Sequence, residues 1–208
     1  MIFLFIALAI LTTLSILFFL LFPLIKRNSL RKNFINSYGR VVYGLANEKD
    51  FYLINRLLLK SNDGNNIDID HLLLTNKYIF VIKDFYFEGA LLGKDSDNTW
   101  VYYFGSVKEP SKKLVPNPLF ENDKRLNKLS LITGLDKSFL ISLILVNDDC
   151  DLSLLKKDDP NTYVVRLKEL KPLIEKIESS NVAPLNDDQL KWAVQDIAKL
   201  NLRKKKNG

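Results

Sequence analysis

One cysteine and one histidine in 208 residues leave little room for two common kinds of chemistry. The single Cys150 excludes an intrachain disulfide framework, and with His71 as the only imidazole it excludes the usual zinc-binding spacings. Glycine and proline are also sparse, 8 and 7 residues, which excludes collagen-like and low-complexity chains. An aromatic share of 11% and a hydrophobic share of 47% exclude disorder. The sequence has no Gly-rich phosphate loop and no Ser, His and Asp in a usable order. Its length suits one domain with its own core better than two.

Charge is missing altogether from residues 1–25, MIFLFIALAILTTLSILFFLLFPLI, a run softened only by Thr12, Thr13 and Ser15. As a helix, Ile2 to Ile25 extends about 36 Å, enough for a hydrocarbon core of ~30 Å. Hydroxyls of Thr and Ser return hydrogen bonds to their own helix, so they cost little in lipid. A cleaved signal peptide fits less well: no base precedes the run, the run is long, and no small-x-small site precedes Lys26. The expectation is one transmembrane helix over 1–25, then a basic juxtamembrane linker over 26–40. Lys26, Arg27, Arg31 and Lys32 on its C-terminal side place the N-terminus outside the cell membrane and the remainder in the cytoplasm. The lone Cys150 agrees with that compartment. The lipid bilayer is therefore an expected partner. The juxtamembrane bases read either as the topology signal alone or as attraction to anionic lipid head groups, about 1 kcal/mol each.

The net charge of +6 belongs to the ends. Lys26, Arg27, Arg31, Lys32 and Arg40 precede, and Arg203, Lys204, Lys205 and Lys206 follow, a body with fewer bases than its 24 acids. High pI then says little for nucleic acid as a partner, because that inference needs a basic face on the folded domain. The tail over 202–208 reads as a solvated terminus or as an electrostatic contact to lipid or RNA. No feature identifies a protein partner.

Between the ends the pattern is mixed α/β. Residues 41–60 read as a helix, with Phe51, Ile54, Leu57 and Leu58 on one face. The turn cluster at 61–66 stops it. Ile67–Leu74 and Tyr78–Phe85 read as a hairpin, and the second strand is apolar on both faces, hence central. Residues 98–104 suit a third strand after a turn region at Gly89–Gly93. A helix over about 119–131, a strongly apolar strand over 139–146, a strand over 162–166 and helices over about 168–179 and 187–201 complete the order.

Within residues 69–89, IDHLLLTNKYIFVIKDFYFEG, Ile69-Asp70-His71 and Phe80-Val81-Ile82 are followed by Gly89. This passage resembles the nuclease-related domain (NERD) family. Trp100, Asn117-Pro118-Leu119 and Asn122 are similar to its further landmarks, and Glu48 to its early Glu. The resemblance covers roughly residues 40–200. It implies a restriction-endonuclease-like mixed sheet flanked by helices over 41–201, with Asn117 and Glu121 as candidate binding residues; the Gln common in that element stands here as Glu121.

Phosphodiester cleavage requires a divalent ion held by carboxylates and a cation near the nucleophile. The family's Glu-x-Lys supplies both from one strand face, since residues i and i+2 share a face. Here Lys83 stands at the Glu position and Phe85 at the Lys position. Asp70, the remaining candidate metal ligand, then faces an ammonium, and the site reads as degenerate. A rearranged site uses Asp84 in place of the Glu, Lys83 as the lysine and Glu48 as a further acid. It requires a bulge, because alternation points Asp84 away from Lys83. No cofactor is expected; Mg²⁺ or Mn²⁺ belongs only to the hydrolytic reading. Asp70 and Lys83 also read as a structural ion pair, and His71 as a packing or strand-edge residue. Trp100, Tyr102 and Tyr103 read as core and shielded surface more readily than as base-stacking rings. The acidic turn before Cys150 raises its thiol pKa and argues against a nucleophile. The reading is a membrane-anchored, non-catalytic binding or scaffold module, with a metal-dependent nuclease and a membrane-organising interaction domain as alternatives.

Overall fold

The computed structural model describes residues 2–61, 64–105 and 108–203. The chain forms two compact units, Met1–Ser37 and Tyr38–Gly208. Helix α1 (Ile2–Lys49) runs through the first unit and begins the second, with a break in helical geometry at Asn33 (φ −126°, ψ 27°). In the first unit apolar side chains such as Phe3, Phe19 and Leu20 are exposed. The Ser15 hydroxyl donates to the Leu11 carbonyl at 2.9 Å, so this hydroxyl is satisfied within its own helix. Among the described residues no single helix is long and apolar enough to cross a membrane; Ile10–Lys26 and Arg31–Lys49 meet that test together, as a broken pair.

The second unit opens with the last turns of α1, where Tyr38, Val42, Leu45 and Ala46 are buried at helical spacing. The helix ends at Lys49, not at residue 60. Asp50 takes a left-handed conformation (φ 56°), and the Phe51 N–H donates to the Ala46 carbonyl at 2.9 Å. Tyr52–Lys60 is strand β1. The helix-like spacing of Ile54 and Leu57 has a different origin. Arg56 between them is left-handed (φ 52°), which resets strand alternation and lets both neighbours face inward.

The elements that follow are β2 (Asn66–Leu74), β3 (Ile79–Phe85), β4 (Ala90–Lys94), β5 (Thr99–Gly105), β6 (Pro110–Pro116), α2 (Pro118–Thr133), β7 (Leu140–Val146), β8 (Asp151–Lys156), β9 (Thr162–Arg166), α3 (Leu170–Glu178) and α4 (Asp187–Leu200). They make two sheets, ordered β1-β2-β3-β7-β9 and β6-β5-β4-β8. The β2–β3 hairpin forms as the sequence pattern suggests, with Leu74 opposite Ile79 and His71 opposite Ile82. β3 is central, and its pairing to β7 is parallel, as is that of β7 to β9. The expected turn at 89–93 is largely β4, and β5 lies in the second sheet between β6 and β4; β6 and β8 are strands the pattern did not suggest.

Ile79 and Val81 of β3 pack with Leu126 and Leu129 of α2 and with Leu190 and Ile197 of α4. Phe80 and Ile82 on the opposite face are fully buried too, and every residue of β7 is buried. That double coverage explains why these strands are continuous apolar runs. The second sheet turns Leu91 and Trp100 toward Leu119, Ile144 and Val146. Gly89 (φ 129°) lets the chain enter β4 close against β5, since a Cβ there would lie 2.1 Å from the Tyr103 carbonyl oxygen. After α4, the Leu202 N–H donates to the Leu58 carbonyl at 2.9 Å and the Leu58 N–H to Asn201 Oδ1 at 3.2 Å, which covers the free edge of β1.

Candidate functional site

The paired register of β2 with β3 ends at His71 and Ile82, and the Asp70 carboxylate takes over from there. Its Oδ2 accepts the Asp84 N–H at 3.0 Å, as a ladder carbonyl would, and its Oδ1 accepts from Lys83 Nζ at 2.9 Å. Asp70 is buried, so its charge needs these partners. Lys83 Nζ also lies 3.6 Å from Asp68 Oδ2, and Asp68 Oδ1 accepts from Arg203 Nη2 at 2.8 Å. Asp68 and Asp70 share a face because they are two apart in a strand. The result is an alternating row, Arg203, Asp68, Lys83, Asp70. On the neighbouring strand the left-handed Arg56 falls between Asn55, which pairs with His71, and Leu57, which pairs with Ile69. Backbone strain thus lies beside Asp70.

The other face of the hairpin carries a second polar cluster. Asp84 is buried, and its Oδ2 lies 2.9 Å from His71 Nε2. His71 Nδ1 lies 2.7 Å from Asn55 Oδ1, so the imidazole bridges Asn55 and Asp84. Asp84 Oδ1 is buried without a partner among the described residues. Burial pushes the Asp84 carboxyl above its usual range, against the lowering effect of its bond to His71. The start of the second unit closes this cluster. The Tyr38 hydroxyl donates to the Phe85 carbonyl at 3.3 Å, and burial, then the Asp84 charge, raise its pKa. A Cβ on Gly39 would stand 3.4 Å from His71 Cε1.

The four acids and bases singled out from sequence therefore separate. Asp70 and Lys83 meet; Asp84 turns to His71; Glu48 pairs with Lys171 of α3 at the surface. No bulge brings Asp84 round to Lys83. Among the described residues no group of three or more His, Cys, Asp or Glu side chains is placed to hold a metal ion. Phe85 stacks on Phe87 with ring centroids 5.8 Å apart, and Phe87 meets Tyr102 edge-on at 5.2 Å. The position after Lys83 on this face is therefore aromatic and apolar.

Asn117 is fully buried and used up by the fold. Its Oδ1 caps α2 by accepting the Leu119 N–H at 2.9 Å, and its Nδ2 donates to the carbonyls of Asp95 and Asp97 at 2.8 and 2.6 Å. Asn122 Nδ2 donates to the Val81 carbonyl at 2.8 Å and to Ser142 Oγ at 3.1 Å, which ties α2 to the central strands. Glu121 is surface-facing and bonded to Lys124 at 2.9 Å. Trp100 is buried with its Nε1–H donated to the Lys94 carbonyl at 2.7 Å. Burial, then the Asp151 charge, push the Cys150 thiol up to about 12. Of the basic tail, Lys204, Lys205 and Lys206 lie outside the described residues. Sequence reading missed Asp68, Arg203 and the link from His71 to Asp84. The i, i+2 spacing of Asp68 and Asp70 was the one available signal.

A family model described as "NERD: Nuclease-related domain" matches residues 38–147, from the last turns of α1 to the end of β7. No curated protein matches the chain. A solved structure, "Crystal Structure of Protein of Unknown Function AF1548", aligns over 77% of this chain and 78% of that chain, at 11% identity and a TM-score of 0.36. At that distance it carries no argument about function.

Proposed function

Because the chain belongs to the nuclease-related domain (NERD) family, we propose that it carries a nuclease-derived domain that no longer cleaves phosphodiesters. In this reading it acts as a binding or scaffold module, held at the cytoplasmic face of the cell membrane by residues 1–25. The observation that carries the proposal is the 2.9 Å contact between Lys83 Nζ and Asp70 Oδ1. Hydrolysis needs a divalent ion held by carboxylates, to activate water and screen the phosphate. An ammonium already supplies positive charge to Asp70. Such a pair attracts by about 4 kcal/mol at ~4 Å and an effective dielectric of ~20, which a metal would have to overcome. Asp84 and Glu48 are bound to His71 and Lys171 instead. These residues, each already paired with a base, do not fit a divalent ion. Support for the anchor is the uncharged run of residues 1–25 with bases directly after it.

The test is nicking of supercoiled plasmid by the full-length chain with Mg²⁺ or Mn²⁺, beside Asp70→Ala. No cleavage above that variant is expected. Cleavage that disappears in Asp70→Ala would overturn the non-catalytic reading. Reporter fusions at each terminus check the orientation, and a C-terminus found outside the cell would contradict it.

A further inference from the structure

The outer face of the second sheet departs from the usual rule that an antiparallel face in water is polar. Leu154 of β8 stands opposite Leu92 of β4, Leu92 opposite Val101 of β5, and Val101 opposite Leu114 of β6. Paired residues point the same way, so the four form one apolar row across all four strands, about 14 Å at the usual strand spacing. Three of them are solvent-exposed, Leu114 by 71%, Leu154 by 44% and Leu92 by 36%. Alternation places Leu91, Trp100 and Val115 on the opposite, inner side, where they pack in the core.

Lysines border the row on both sides. Lys94 stands opposite Lys156 two residues along one flank, and Lys112 stands opposite Tyr103 on the other. All three lysines are exposed, and among the described residues none forms an ion pair. Acids stand beyond one flank, where Asp97 Oδ2 accepts the Lys94 N–H at 2.8 Å and the Asp95 N–H donates to the Lys156 carbonyl at 3.2 Å, and Asp151, opposite Ala90, stands at the far end of β8. Leucine flanked by unpaired ammonium groups matches a surface with hydrocarbon below and phosphate or carboxylate charge above it. Bases or a phosphate backbone would leave the leucine row with nothing to bury against.

We propose that this face docks on an anionic lipid bilayer, the leucine row entering the head-group region and Lys94, Lys112 and Lys156 meeting anionic head groups. The proposal rests on the anchored reading above, which keeps the domain close to a bilayer. Its geometry is independent of the Asp70–Lys83 pair.

The experiment uses the full chain in phosphatidylcholine vesicles with and without phosphatidylserine, labelled at Leu114→Cys with an environment-sensitive dye. Cys150 is buried, so labelling is confined to position 114. The dye is expected to be quenched by bilayer-embedded quenchers in the anionic vesicles. The Lys94→Gln/Lys112→Gln/Lys156→Gln variant is expected to lower the docked-to-undocked ratio about 100-fold, taking each lysine at the usual membrane contribution. A label at exposed Leu131→Cys on α2 stays aqueous throughout. A label at 114 that remains aqueous in anionic vesicles, or is quenched equally in the triple variant, overturns the proposal. So does a dye response to free oligonucleotide or to an added acidic protein in place of lipid. Carbonate extraction reads the anchor separately: a resistant chain with an aqueous label loses the docking face alone, and an extracted chain whose label was quenched loses the anchor alone.

Discussion

The two faces of the β2–β3 hairpin dispose of neighbouring carboxylates in opposite ways. Asp70 and Asp84 are joined by one hydrogen bond, from the Asp84 N–H to Asp70 Oδ2, yet their side-chain chemistry is separate. On the Asp70 side the charge is balanced by a cation, and the row continues through Asp68 to Arg203. On the Asp84 side the partner is His71, the cluster is closed by the helical turn at Tyr38 and Gly39, and one carboxylate oxygen has no partner among the described residues. The difference shows how strand alternation separates two neighbouring carboxylates. An amine at position 83 consumes the acid on its own face, and alternation keeps the next acid on the other. Both carboxylates are held within the fold, one as half of an ion pair and one bonded to an imidazole.

The largest effect is expected from breaking the closed side. His71→Leu leaves Asp84 buried with no imidazole, at a cost of about 3–5 kcal/mol, and a fall of roughly 10 °C in the unfolding midpoint checks it. Lys83→Met should cost less, about 1–3 kcal/mol in denaturant titration, because Lys83 is partly exposed and Asp70 keeps the Asp84 N–H. The two faces also differ with pH. Asp84 has its carboxyl pKa raised by burial, so the folded chain binds that proton more tightly than the unfolded one. Its contribution is full below the ordinary carboxylate range and declines as pH rises toward the folded value. Stability of the unaltered chain relative to Asp84→Asn should therefore fall with rising pH over that window, and a difference that grows would contradict the assignment. The smallest effects belong to the remaining candidates: Glu48→Ala and Glu121→Ala, both in surface pairs, should leave the midpoint unchanged within error.

The part of the site set by strand alternation was readable in advance. The family resemblance implied Asp70 beside Lys83, and strand alternation turned Asp84 away, because period two leaves no freedom in a regular strand. The cluster of His71 with Asp84 and Asn55 is diagonal across three strands, and the Arg203–Asp68 contact joins residues far apart in the chain, so local pattern held no trace of either. At the start of the domain, the left-handed Asp50 and Arg56 gave β1 an apolar spacing that imitates a helix. The second sheet was hidden for another reason. β4 is five residues with a glycine, β6 is bounded by Pro110 and Pro116, and β8 is mostly exposed, so each reads as linker.

The most direct test of the proposed loss of metal binding is a Mn²⁺ titration of the full-length chain, followed by electron paramagnetic resonance, beside Asp70→Ala and Lys83→Glu. The account predicts no Mn²⁺ bound through Asp70 in the unaltered chain, and binding that appears only when the amine at 83 becomes a carboxylate. Stoichiometric Mn²⁺ in the unaltered chain, lost in Asp70→Ala, would contradict it.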